Sequence, residues 1–333
     1  MNAYSTLIKG ARLIVETCMT VKEGDSVLII SDDLHRRHAQ ALAGVAVSLG
    51  ARAVVADVSP EVSAALASME YPMEPAPHLA AAMVNSDVII ITTILEWANR
   101  FAHVDPVSAA VSRGAKVASV EEGMGAWDLT IEDIQATTER AERIMAAMEG
   151  ASTVRVTSSS GTDVTVSIEG RPPLKVVPVK DPGIMMGPIP LWGEVAYAAV
   201  EDKTQGTLVF DGVMLGVGVS GNLPEPIMVK VKDGRAYEIT GGAAAEALKH
   251  AFSLSDENAN VVAEFAIGTS EKEKYGSPSE KGMLSTVHFG LGDNAHAYPG
   301  GQSYSKTHLD GTTRDATIIV DGKIIMKDGV LTI

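Results

Sequence analysis

The segment Ser-Lys-Thr-His-Leu-Asp-Gly near the carboxyl end of the chain carries two side chains that could bind a metal ion. His308 and Asp310 are separated by a single residue. In a strand, residues two apart point to the same face, so the imidazole and the carboxylate would lie side by side. Nitrogen and oxygen donors presented together are a natural start for a divalent-cation site. The pair therefore indicates metal chemistry.

Three further ionisable residues interrupt apolar runs upstream of this pair. They are Glu194 in LWGEVAY, Glu264 in VVAEFAIG and His288 in TVHFGLGDN. A buried ionisable group destabilises a fold unless it is paired, hydrogen-bonded or bound to a metal. Together with His308 and Asp310, these residues predict a metalloenzyme.

Taken singly, each of these residues also has a structural interpretation. A buried glutamate is more often the partner of an Arg or Lys than a metal ligand, and His288 alone would be a hydrogen-bonded core residue. The period-two pair of His308 and Asp310 is harder to explain in this way. The remaining candidates are assigned ordinary positions: His35 and His38 in a solvated first helical turn, His78, His103 and His250 at the surface or at helix ends, His296 in a segment that could line a cleft, and Cys18 in the core.

The composition excludes several classes of partner. The chain has 333 residues, 46% of them hydrophobic, and a formal net charge of −15. Such a surface repels phosphate groups, so neither nucleic acid nor an anionic membrane is expected as a partner. A single cysteine excludes an internal disulfide framework and suits a reducing compartment. With no signal-peptide pattern and no apolar run of about 18 residues, a cytoplasmic protein is expected.

Residues 1–150 alternate short apolar runs with helical patterns, which predicts an α/β domain with a parallel sheet covered on both faces. A long helix over residues 130–150 is expected to close this domain. The segment SDDLHRRH after the first strand offers acidic residues where a phosphate-binding loop needs glycines, which argues against a nucleotide site. The expected strands are SVLIIS (26–31), ARAVVADV (51–58), DVIIIT (87–92) and KVASV (116–120).

Residues 151–333 have a different periodicity. TVRVTSSSGTDVTVSIEG alternates polar and apolar residues around a turn, as a β-hairpin does, and Asp-Gly turns mark further hairpins downstream. One helix, over residues 242–252, interrupts the strands. The expected architecture is therefore α/β plus α+β: an N-terminal parallel α/β domain, residues 1–150, and a C-terminal β-rich metal-binding domain, residues 151–333.

The second half of the sequence resembles the aminopeptidase T family of metallo-aminopeptidases. The resemblance rests on GEVAYAAVED, GTLVFDG, AEFAIGTS, HFGLGDNAHAYPGG and KTHLDG, in this order, and covers roughly residues 150–333. The N-terminal half is shorter than in typical members, so the substrate pocket is expected to differ. The family's metal ligands and active-site tyrosine map onto Glu194, Glu264, His288, His308 and Asp310, and onto Tyr298 after a small insertion.

The same fold resembles 2,5-dihydroxypyridine dioxygenase and 5-nitroanthranilate aminohydrolase. The dioxygenase holds Fe(II) with two histidines and one carboxylate, which leaves positions open for substrate and O₂. Its first histidine aligns with Glu264 of this chain, and its counterparts of Glu194 and His288 are apolar. The ligand pattern therefore agrees with the peptidase, whereas the compact length is closer to the dioxygenase.

The resemblance to aminopeptidase T implies a hydrolase with two divalent ions, Zn²⁺, Co²⁺ or Mn²⁺, which share a carboxylate and activate a water molecule. Glu194, next to Gly193, is the expected general base if it is not purely a ligand. Tyr298 would donate a hydrogen bond to the developing oxyanion. The expected substrate is a small peptide, a small amide or a small aromatic compound.

Two alternatives stay open. One is an enzyme of aromatic compounds, either an Fe(II) ring-cleaving dioxygenase or a metal-dependent aminohydrolase. The other is a non-catalytic α/β protein in which the ionisable residues are structural. A symmetric homodimer is expected, because the resemblance is to dimeric proteins and because the edges of the predicted hairpins need covering.

Overall fold

The computed structural model describes the chain as two compact units. Each unit draws on two stretches of sequence, which are Met1–Ala136 with Val176–Trp192, and Thr137–Lys175 with Gly193–Ile333. No helix in the described ranges has both the length and the apolar character needed to cross a membrane. The residues described are 3–68, 75–94, 104–184 and 186–333.

The first unit contains a five-stranded parallel sheet. Its strands are β1 (Ser26–Ser31), β2 (Arg52–Asp57), β3 (Val88–Thr92), β4 (Lys116–Val120) and β8 (Gly187–Ile189). They lie in the order β2-β1-β3-β4-β8. Strand β8 pairs in parallel with β4, so residues 176–192 belong to this unit although they follow residue 150 in the sequence. The division thus differs from a single cut at residue 150.

Helices cover both faces of this sheet, because successive residues of each buried strand point to opposite sides. Ile29 and Ile90 pack in one apolar cluster, and Ile30 and Ile91 pack in the other. This arrangement agrees with the expected α/β class. The helices of this unit are α1 (Ala3–Arg12), α2 (Arg36–Ser48), α3 (Ser59–Ser68), α4 (Pro77–Val84) and α5 (Asp105–Ser112), with a π-helical turn at Leu13–Cys18. A sixth helix, α6 (Ile131–Ala147), begins in this unit and belongs to the second unit from Thr137 onward.

Two minor expectations for this unit have different outcomes. Cys18 is buried as expected, and burial raises the pKa of its thiol. The prediction that His35 is solvated is wrong. Its Nδ1 lies 2.7 Å from Asp32 Oδ1 and its Nε2 lies 3.2 Å from Glu122 Oε1, so two carboxylates enclose the ring. His103 lies outside the described residues.

This arrangement around His35 predicts pH-dependent stability. The hydrogen bond to Glu122, together with Asp32, outweighs burial and raises the pKa of His35 to about 8. Since this value is above that of the unfolded chain, about 6.5, the stabilisation is fully present below pH 6.5 and is lost as the pH rises through 8. We expect the melting temperature of the wild type to fall between pH 6 and 9 by more than that of His35→Gln. His78→Gln changes a histidine at an exposed position and should behave like the wild type. If the melting temperatures of all three proteins fell equally between pH 6 and 9, the prediction would be contradicted.

The second unit contains an eight-stranded sheet, and its pairs are antiparallel. The expected hairpin is formed by its β5 and β6, and the expected helix is α7 (Gly242–Leu254). At the turn between β11 and β12, Asp233 and Gly234 have φ of 48° and 74°, the left-handed conformation that an Asp-Gly hairpin turn requires. The strands are β5 (Thr153–Thr157), β6 (Asp163–Ser167), β10 (Gln205–Phe210), β11 (Ile227–Lys232), β12 (Arg235–Thr240), β16 (Thr317–Val320), β17 (Lys323–Lys327) and β18 (Val330–Leu331).

A second sheet of this unit carries every residue predicted to bind metal. Its strands lie in the order β15-β14-β13-β9-β7, and a single 3₁₀ turn, Glu280–Gly282, precedes β14. The two halves of the chain therefore have the predicted characters, a parallel α/β sheet and β-rich antiparallel sheets. The strands of this sheet are β7 (Leu174–Val176), β9 (Glu194–Ala198), β13 (Glu264–Gly268), β14 (Thr286–Gly292) and β15 (His308–Arg314).

Candidate metal centre

The two faces of this sheet differ in character because side chains alternate along each strand. Phe265 and Phe289 belong to the apolar face, where their ring centroids are 5.8 Å apart. The opposite face carries the ionisable residues, since partners in an antiparallel register share a face. The register pairs that define this second face are Glu194 with Gly268, Glu264 with Ala198, His288 with Ala266, and Asp310 with Gly290.

Very small residues on this face leave room for the long ionisable side chains. Gly290 is the most constrained example. A Cβ atom at this position would lie 2.5 Å from His308 Cε1 and 2.7 Å from Glu264 Oε2. Any larger residue at 290 would therefore displace the side chain of His308 or of Glu264. The strand sequences signal this face, because alanine or glycine recurs two residues after an ionisable one at 196, 266 and 290.

The five predicted ligands form two groups of three that share Glu264. One group is Glu194, Glu264 and His288; the other is Glu264, His308 and Asp310. In each group the candidate ligand atoms lie within 4.8 Å of one another. Each group offers two carboxylates and one imidazole, a donor set that suits divalent cations.

Each histidine presents its Nε2 atom to two carboxylates. His288 Nε2 is 3.3 Å from Glu264 Oε1 and 3.5 Å from Glu194 Oε2. His308 Nε2 is 3.1 Å from Glu264 Oε2 and 3.0 Å from Asp310 Oδ1. None of the five side chains is more than 8% exposed. Solvent therefore screens the centre only weakly.

Backbone carbonyl groups orient both imidazoles. His288 Nδ1 is 3.1 Å from the carbonyl oxygen of Lys281, and His308 Nδ1 is 2.7 Å from that of Asp293. Because a carbonyl can only accept, each Nδ1 donates its proton, and each Nε2 faces the carboxylates. Metal-ligating histidines are commonly held in this way.

Two carboxylate oxygens show that the cluster fits a cation. Glu264 Oε1 and Asp310 Oδ1 are buried, and each lies close to an imidazole Nε2, at 3.3 Å and 3.0 Å, without a well-directed hydrogen bond. Leaving buried carboxylate oxygens in this state is costly. One oxygen belongs to each end of the cluster, beside His288 and His308 respectively. The donor set therefore fits one or more divalent cations.

The ionisation of the cluster supports the same assignment. Burial raises the pKa of Glu194 to about 6, while His288 opposes this shift. Burial also acts to raise the pKa of Glu264, but His288 and His308 outweigh it and lower this pKa to about 2. Burial acts to lower the pKa of both imidazoles, yet the neighbouring carboxylates raise it. The carboxylates thus favour a positive charge beside each Nε2, which is the position that a metal ion would take.

Two more side chains reach the centre. Tyr298, predicted as an active-site residue, stacks on His308 with ring centroids 5.4 Å apart and its hydroxyl 3.2 Å from His308 Nε2. Lys281 was not predicted; its ammonium forms a buried ion pair with Asp310 Oδ2. It lies in the polar segment SPSEKGM, which has no pattern that distinguishes it from a solvated loop. All six predicted site residues therefore lie together, and Lys281 joins them.

Two solved structures share this fold at low sequence identity. The 2,5-dihydroxypyridine dioxygenase from Pseudomonas putida KT2440 superposes with a TM-score of 0.75 and 18% identity, over 99% of this chain and 96% of that chain. Wild-type AmpT from Thermus thermophilus superposes with a TM-score of 0.72 and 16% identity, over 100% of both chains. Both likenesses establish the fold. No curated protein sequence matches the chain significantly.

The family comparison favours the resemblance to 2,5-dihydroxypyridine dioxygenase over the resemblance to aminopeptidase T. Residues 7–333 match the model of the family described as NicX, 2,5-dihydroxypyridine 5,6-dioxygenase. The match includes both units and all the residues of the candidate centre. Because it spans nearly the whole sequence, this chain belongs to the NicX family.

Proposed function

We propose that this protein is a divalent-metal-dependent hydrolase that releases an amine from a small amide or peptide. The composition of the two groups of ligands supports this proposal. Each contains two carboxylates and a single histidine. A carboxylate-rich donor set suits hydrolytic ions such as Zn²⁺, Co²⁺ or Mn²⁺.

The donor set differs from that of a mononuclear Fe(II) oxygenase. Such an enzyme needs two histidines and one carboxylate around one ion, with open positions for substrate and O₂. Among the described residues, neither group of ligands contains both His288 and His308. Glu264 lies between the two histidines and provides one oxygen to each.

The residues of the centre have distinct parts in the proposed reaction. A bound divalent cation would lower the pKa of a water molecule and polarise the substrate carbonyl. Glu194 would accept a proton from that water, whose oxygen bonds to the carbonyl carbon. The hydroxyl of Tyr298 would donate to the developing oxyanion. The carbon–nitrogen bond then breaks, and the proton passes to the departing amine.

A second candidate function is ring cleavage of a hydroxylated pyridine with Fe(II) and O₂. The family match over residues 7–333 favours it. For this reaction, the group that contains His308 and Asp310 would have to hold iron with Glu264 in the place of a second histidine. An assay that follows amine release and oxygen consumption in parallel separates the two candidates.

We expect purified protein supplied with Co²⁺, Mn²⁺ or Zn²⁺ to release amines from at least one member of a panel of dipeptides and small amides. A chelator should stop the release, and added metal should restore it. In the same preparations, and after anaerobic loading with Fe(II), oxygen uptake with hydroxylated pyridines is measured. Metal-dependent oxygen uptake without amine release would reject the hydrolase and support the dioxygenase.

A pair of tyrosine variants connects this activity to the site. Tyr298→Phe should lower kcat by about 100-fold, because one oxyanion donor typically contributes that much. Tyr304→Phe is the matched control, since this side chain is 66% exposed, and it should retain full activity. Equal effects of the two substitutions would contradict the role given to Tyr298.

A further inference from the structure

Lys281 is a cation built into the candidate metal centre. Its side chain is buried, and its ammonium pairs with Asp310 Oδ2. Asp310 uses its other carboxylate oxygen toward His308 Nε2, at 3.0 Å. A positive charge of the protein therefore lies against one of the predicted ligands.

The backbone around Lys281 is fixed in place. The preceding residue, Glu280, is fully buried and accepts from Arg314 at 2.6 Å and 2.5 Å. Thr286 Oγ1 donates to the Glu280 carbonyl at 3.1 Å. The carbonyl of Lys281 itself accepts from His288 Nδ1 at 3.1 Å. The same residue thus orients one predicted ligand through its backbone and neutralises another through its side chain.

The charges of the centre limit how many cations it can hold. Glu194, Glu264 and Asp310 provide three negative charges when ionised, and the two histidines are neutral as ligands. Lys281 offsets one of these charges, and one divalent cation offsets the other two. A second divalent cation would leave a net positive charge in a buried site, where uncompensated charge is costly.

We propose that Lys281 takes the place of a second metal ion, so that the centre binds one divalent cation tightly. This differs from the two ions expected from the resemblance to aminopeptidase T. The inference rests on the metal centre of the proposed function and is independent of whether the reaction is hydrolysis. Lys281 then determines ion number as well as ligand orientation.

The test counts bound ions in the full-length wild type and three variants. Each protein is saturated with Mn²⁺, dialysed, and analysed by elemental analysis and titration calorimetry. We expect one ion per chain for the wild type and for Lys281→Arg, which keeps the charge. Lys281→Met removes the charge at similar length and should bind a second ion at least 10-fold more tightly than the wild type does. Lys180→Met is a control at another buried lysine and should bind one ion.

Several results would overturn the inference: two tight ions in the wild type, no bound ion, or an unchanged second-site affinity in Lys281→Met. If Lys281→Met does not fold, the electron spin resonance spectrum of the Mn²⁺-saturated wild type shows whether one or two ions are bound. An isolated Mn²⁺ signal supports one ion, and an exchange-coupled pair rejects it. Amine release is scored separately, so one bound ion without hydrolysis would reject the proposed reaction and leave the role of Lys281 intact.

Discussion

Replacing Glu264 by alanine is expected to abolish metal binding and, with it, amine release, while the protein stays folded. Glu264 is the residue shared by both groups of ligands and lies 3.3 Å from His288 Nε2 and 3.1 Å from His308 Nε2. Changes to residues that only support a ligand cost about 10- to 100-fold in metal affinity. Loss of the shared ligand should cost at least about 100-fold. Calorimetric titration with Mn²⁺ or Zn²⁺ measures this loss directly.

Two matched variants make the result specific. Glu264→Gln keeps the shape of the side chain and removes its charge, so it should also lose metal affinity. Glu238→Ala removes an exposed carboxylate from β12 and should behave as the wild type. Circular dichroism and thermal unfolding show whether each variant is folded. A folded Glu264→Ala protein with wild-type affinity would remove Glu264 from the centre.

The second large effect is expected from a single added methyl group at residue 290. In Gly290→Ala the new Cβ would lie 2.5 Å from His308 Cε1 and 2.7 Å from Glu264 Oε2, so both side chains must move. Displacement of catalytic groups by about 1 Å can cost 100-fold in rate. We expect a loss of that order in kcat, together with weaker metal binding. Overpacking should also lower the free energy of unfolding by about 1–3 kcal/mol.

Gly44→Ala is the matched control for this substitution. Gly44 lies in α2, and a Cβ added there meets no atom within 4 Å. Alanine is a better helix former than glycine, so this variant should be more stable by about 0.5–1 kcal/mol and should keep full activity. Wild-type kinetics and metal binding in Gly290→Ala would show that the space beside His308 and Glu264 is not required.

The individual elements of the fold follow from local sequence patterns. Apolar runs separated by helical segments predict the parallel strands β1 to β4, and Asp-Gly turns between alternating segments predict the hairpins of the second unit. Each pattern lies within a few residues, so it can be read directly from the chain. The return of β8 to the first sheet has no such signal, because its three residues pair with β4 about seventy positions upstream.

The candidate ligands are also visible in the sequence, because an ionisable residue in an apolar run is costly without a partner. The sequence does not show that Glu264 belongs to both groups of ligands. That Glu264 provides one oxygen to His288 and the other to His308 depends on the register of β13, β14 and β15. Register is a property of paired strands.

The partners of His35 and Lys281 likewise could not be predicted from the sequence. The sequence around His35 is polar, yet Glu122, 87 residues away, encloses the ring together with Asp32. Lys281 lies in a polar segment, yet its ammonium reaches Asp310 across 29 residues. Side-chain types and local periodicity thus determined which groups could do chemistry and which elements carry them. Only the tertiary structure decided which groups meet, because strand pairing brings together residues that are far apart along the chain.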